Sequence, residues 1–221
     1  MRVSTFGIGR LYRPGYSGRV LRRRVLLVMS ACLIAGPSVL AQQARWPTDG
    51  VDRLIAAAEA QTGHPVRYDG AYRRIPYPMG DVPADVGVCT DVVIRAYRAV
   101  GIDLQQRVHE DMRAAFASYP RAWGLARPDP NIDHRRVPNL QVFFRRRGVA
   151  RPPSTDPGAY QAGDVVTWRL PGNLPHVGLV IARRSPDGRR PLIVHNIGRG
   201  PEIEDTLFAY PITGHYRFRG E

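Results

Sequence analysis

One thiol and two imidazoles are the groups in this chain best able to do chemistry. Cys89 follows a loop containing Gly80, Pro83 and Gly87 and heads an apolar-periodic stretch, Val92, Val93, Ala96, Tyr97 and Val100. That spacing predicts a helix opening at Cys89 and closed by Gly101. A sulfur in the first helical turn meets unpaired backbone N–H groups and the positive end of the helix dipole. Both favour thiolate over thiol, so this position is expected to lower the pKa and raise reactivity. The same N–H groups are placed to hold an oxyanion. A buried structural cysteine would sit more naturally on the stripe at Val92, Val93 or Ala96.

A thiol nucleophile needs an imidazole to take and return a proton, and a polar group to orient that ring. His176 opens the run His176-Val177-Gly178-Leu179-Val180, and His195 ends Leu192-Ile193-Val194-His195, ahead of Asn196. Adjacent antiparallel strands would bring the two rings together, with the helix of Cys89 packed over them. Taken singly, each histidine reads as an ordinary hydrogen-bonded strand residue; their position downstream of a helix-start cysteine makes them candidates.

The elements that must position these groups come helices first. Val51, Leu54, Ile55 and Ala58 predict a helix over 49–62, stopped by Gly63. Residues 64–87, rich in Pro, Gly and Tyr, predict a surface loop. After the Cys89 helix, a third is expected over 105–118 and a fourth from Pro138 or Asn139 to Arg147. β-rich runs follow at 164–168, 177–182, 192–195 and 212–218, with Ser185-Pro186-Asp187-Gly188 as a hairpin turn. Helices followed by antiparallel strands predict an α+β fold in a single domain over 42–221, the helices packed on one face of the sheet.

The 221 residues carry 32 basic and 19 acidic groups, every basic one an arginine, for a formal charge of +13. Residues 1–24 hold seven of those arginines and no acid, and an apolar run from Val25 to about Val39 leads to Val39-Leu40-Ala41. This pattern predicts a secretory signal, residues 1–41, cut after Ala41 and too short and broken for a stable membrane span. A twin-arginine signal, a lipoprotein box at Ser30-Ala31-Cys32 and an uncleaved anchor are the alternatives. Removing the seven arginines leaves +6 and makes Cys89 the one remaining cysteine. A periplasmic or secreted protein follows. Nucleic acid is not an expected partner, because no aromatics interleave the arginines.

The segments Cys89-Thr90-Asp91-Val92-Val93, Gly163-Asp164-Val165-Val166 and His176-Val177-Gly178-Leu179-Val180 resemble those of the NlpC/P60 papain-like superfamily. The fuller string is similar to the DUF1287 family over about residues 50–219, through Gly87-Val88-Cys89-Thr90-Asp91, Val108-His109-Glu110-Asp111-Met112, Asp133-His134-Arg135-Arg136-Val137-Pro138-Asn139-Leu140, Leu170-Pro171-Gly172-Asn173-Leu174-Pro175-His176 and His195-Asn196-Ile197-Gly198. The NlpC/P60 likeness implies a papain-like α+β fold and amide hydrolysis, often of peptidoglycan stem peptides. It implies a catalytic set of Cys89 as nucleophile, His176 as base and His195 as orienting residue, with Asn196 in reserve. Tyr77 could match the tyrosine lining the oxyanion region. Asp91 stands where those enzymes usually have glycine; facing the thiol it would oppose ionisation, and facing outward it could read a positive substrate group. Asn173 is a candidate for the rim of the site.

The order Cys, His, His excludes L,D-transpeptidases and sortases, whose histidine comes first. His109-Glu110 lacks the second histidine of a zinc-protease helix, since residue 113 is Arg. Zinc on Cys89, His176 and His195 is chemically possible but unsupported by spacing, so no metal or cofactor is expected. His109, Glu110 and Asp111 read as solvated or capping groups, Asp133 to Arg136 as a salt-bridged loop or a cleft wall, Trp168 as core and Asp164 as a turn pin. The expected function is an exported cysteine hydrolase acting on peptidoglycan or another envelope peptide. A non-catalytic wall-binding module and a thiol-dependent acyltransferase or transpeptidase are the alternatives.

Overall fold

The computed structural model describes residues 46–221; the expected signal segment lies outside them. Four helices come first, α1 (Gly50–Ala60), α2 (Cys89–Ala99), α3 (Leu104–Ala115) and α4 (Val137–Arg146). Their ends carry the expected chemistry. Asp103 caps α3, accepting from the Gln106 N–H at 3.2 Å. Pro138 sits in the first turn of α4. Gly101, at φ +79°, lets the Ile102 N–H return to the Tyr97 carbonyl at 3.0 Å and close α2.

Between α1 and α2 the expected loop contains a two-residue parallel pair, β1 (Arg67–Tyr68) with β2 (Val86–Gly87). The remaining strands are β3 (Ala150–Arg151), β4 (Val165–Leu170), β5 (Leu174–Arg184), β6 (Pro191–Asn196), β7 (Pro201–Glu204) and β8 (Ile212–Tyr216). They form an antiparallel sheet in the order β3-β8-β4-β5-β6-β7. The α+β expectation holds at this level. The short edge strands β3 and β7 were not expected from the apolar pattern.

The helices cover one face of the sheet. Leu54, Val93, Tyr97, Val108, Leu140, Phe143 and Phe144 pack against Val165, Val177, Leu179, Ile181 and Val194. The other face is covered as well, by Tyr160 and Leu207 over Val166, Trp168, Val180 and Ile193. Burial on both sides explains why the central strands read as unbroken apolar runs rather than alternating ones. Asp164 pins the entry to β4, accepting from His215 at 2.7 Å, from Arg217 twice at 2.8 Å and from the Gln161 N–H at 2.9 Å. Trp168 is core, its indole N–H donating to the Leu207 carbonyl at 2.9 Å. Among the described residues no helix is long and apolar enough to cross a membrane.

Candidate active site

Cys89 is the first residue of α2, and its backbone N–H has no partner within the helix. The Val177 N–H and the Tyr68 hydroxyl lie near the sulfur and favour its ionised form. The Cys89 N–H lies near the Tyr68 oxygen. The thiol therefore touches β5 at the peptide joining His176 to Val177. Cys89 is 4% exposed within the helix–sheet core, and this burial overturns the expectation of a lowered pKa. Loss of water pushes the thiol up to about 11, against the pull of the Val177 N–H and Tyr68, with Asp91 adding a smaller upward push. Burial also holds His176 down to about 3, helped by neighbouring His195. At rest the pair is a neutral thiol and a neutral imidazole.

The two histidines lie on the sheet face opposite the helices. Trp168 stands across from His176 in the β4–β5 register and Gly178 across from His195 in the β5–β6 register. His176 and His195 are thus diagonal neighbours around Gly178. A Cβ at 178 would lie 2.7 Å from Ile193 Cγ2 and 3.0 Å from His195 Cβ, so the missing side chain gives the rings their space. His176 Nε2 meets His195 Nδ1 at 2.8 Å, and His195 Nε2 meets Glu204 Oε2 of β7 at 2.8 Å. His176 Nδ1 takes part in neither of these contacts.

The structure brings His176 and His195 together and sets Cys89 beside the neighbouring Val177 backbone, with no hydrogen bond between the sulfur and either ring; the other four candidates lie elsewhere. Tyr77 is 42% exposed, its ring edge-on to His109 at 5.1 Å. The tyrosine at the thiol is Tyr68, because the β1–β2 pair sets Tyr68 opposite Gly87, two residues before Cys89. Asp91 does not face a substrate. It is 2% exposed and accepts from the Val88 N–H at 2.7 Å and from Arg135 twice at 2.9 Å. Arg135 also donates to the carbonyls of Asp69 at 3.2 Å and Ala71 at 3.5 Å, and Thr90 donates to the Arg135 carbonyl at 3.1 Å. This buried arginine fastens the Tyr68 loop to the helix of Cys89. Asn196 does not reach His176; its oxygen accepts from the Gly198 and Gly200 N–H groups and shapes the β6–β7 turn. Asn173 is exposed, at φ +64°, and accepts from Arg169 at 2.6 Å.

The remaining polar segments are mostly structural. Asp111 is buried and accepts from Tyr119, Arg146 and Arg147. Asp133 pairs with Arg136, whose guanidinium lies 4.1 Å over the Trp123 ring.

Two comparisons with known proteins bear on this arrangement. Residues 55–218 match the model of a family described as "Domain of unknown function (DUF1287)". The chain is 53% identical to "Uncharacterized protein YijF" of Escherichia coli (strain K12) over 165 residues, 75% of this chain and 80% of that protein. The match encloses Cys89, Tyr68, His176, His195 and Glu204, so the whole constellation lies within it, and the chain belongs to the DUF1287 family.

Proposed function

We propose that this protein is an exported cysteine hydrolase of NlpC/P60-like, papain-type architecture that cleaves an amide bond in peptidoglycan or another envelope peptide. The observation that carries this reading is a helix-start thiol lying against the peptide of a strand histidine whose far nitrogen is held by a second histidine. Residues 1–41, as a signal, supply the route out of the cytoplasm. A substrate carbonyl replaces the Tyr68 oxygen at the Cys89 N–H and takes the Tyr68 hydroxyl as a second donor. The reading requires the Sγ proton to pass to His176 Nδ1 as sulfur attacks the carbonyl carbon, and so requires that ring to approach the thiol from its place on the other face of the sheet. His176 returns that proton to the departing amine, and the acyl-enzyme is then opened by water activated at the same nitrogen.

The neutral resting pair requires that ionisation accompany substrate entry. The test is incubation with purified peptidoglycan and mass spectrometry of the released fragments. New amino termini are expected with the wild type and none with Cys89→Ala or His176→Ala; undiminished release by either variant overturns the mechanism. The depth of the thiol also favours a second reading, a wall-binding module that keeps the fold without the chemistry. Sedimentation with peptidoglycan and no fragment release by the wild type would select it.

A further inference from the structure

We propose that Glu204, at the end of β7, is a positioning residue that fixes the tautomers of both histidines and thereby makes His176 Nδ1 the base. The inference rests on the hydrolase reading for its catalytic consequence, and on geometry together with a neutral His195 for the proton order. A carboxylate only accepts hydrogen bonds, so the 2.8 Å contact of Glu204 Oε2 with His195 Nε2 places the proton on that nitrogen. In a neutral His195, Nδ1 then carries the lone pair. Its 2.8 Å contact with His176 Nε2 requires the proton to sit on His176. A neutral His176 protonated at Nε2 has its lone pair at Nδ1. Each step follows from the one before, and the sequence begins at Glu204.

The charges around His195 bear on its neutrality. Burial lowers its pKa, Glu204 and Glu202 raise it, and Arg199 lowers it. Arg199 also donates to Glu202 at 2.8 Å and to Glu204 Oε1 at 3.2 Å, so the carboxylate is shared between the histidine and solvent-side arginine. No proton travels along the chain. When His176 Nδ1 takes the Sγ proton, its Nε2–H remains on His195 Nδ1, and the new imidazolium charge faces a ring already polarised by Glu204.

The experiment is long-range ¹H–¹⁵N correlation of the histidine rings in full-length protein at pH 7.5. The wild type is expected to show Nε2–H, with bare Nδ1, for both His176 and His195. Glu204→Leu, and Glu204→Gln whose amide offers both a donor and an acceptor in the same shape, are each expected to show mixed tautomers at both rings. A wild-type His176 protonated at Nδ1, or unchanged tautomers in a folded variant, overturns the proposal. The wild-type spectrum decides even where a variant does not fold. The tautomers are read without turnover, so failure of the hydrolase reading leaves a distinct signature: the predicted proton order with no fragments released.

Discussion

At neutral pH the Cys89 thiol should exchange with a small neutral disulfide more slowly than the same cysteine in a short peptide of the surrounding sequence. Burial lifts the thiol from 9.0 to about 11, which makes thiolate about a hundredfold rarer at pH 7. A more basic thiolate is the better nucleophile, with a Brønsted slope of about 0.4–0.5, and this returns a factor of roughly six to ten. The net deficit is roughly ten- to fifteenfold, and the 4% exposure of the residue makes it a minimum. The assay follows the mixed disulfide by mass spectrometry of the Cys89 peptide, so that Cys32 does not contribute. The rate should climb tenfold per pH unit from pH 6 to about 10. Tyr68→Phe removes a donor to sulfur and should carry the profile to still higher pH. A rate flat between pH 5 and 8, or faster than that of the peptide, would refute the argument: it would mean that the thiol is ionised at rest and that helix dipole and imidazole outweigh desolvation.

Two further outcomes concern stability. Arg135→Met leaves the Asp91 carboxylate buried without its guanidinium and should cost about 3–5 kcal/mol in urea unfolding; a loss below about 1 kcal/mol would show that water reaches Asp91. Burial holds His176 and His134 at about 3, against 6.5 for an exposed ring. The unfolded chain therefore binds protons that the folded chain refuses, and stability should be full above about pH 6.5 and fall as pH drops toward 3. Each ring contributes up to about 1.4 kcal/mol per pH unit. Urea midpoints unchanged from pH 7 to 4.5 would contradict this.

The parts of the molecule carried by apolar periodicity were legible in the sequence. The stripe of α2, the glycine that ends it and the four long strand runs all emerged from spacing, and with them the helix-start position of Cys89 and the pairing of His176 with His195. What spacing missed was short and polar. Strand β7 spans Pro201-Glu202-Ile203-Glu204, too brief and too charged to stand out, yet it delivers Glu204 to His195. Tyr77 entered through the family resemblance alone, whereas a two-residue parallel ladder sets Tyr68 beside the start of the Cys89 helix. The thiol pKa went astray because helix position is visible in a sequence and the depth of the surrounding core is not. Asp91 invited a substrate role because its partner, Arg135, lies 44 residues away and nothing local announces it.

That partnership has a bearing on descent. Exchanging either Asp91 or Arg135 alone strands a charge in the interior, while exchanging both for apolar residues of matched volume can be nearly neutral. Lineages diverging from this chain should therefore inherit the two positions as a unit, either ionic together or greasy together. Intermediates carrying one of each should be rare, because they would have to survive with the Tyr68 loop unfastened from the thiol's helix.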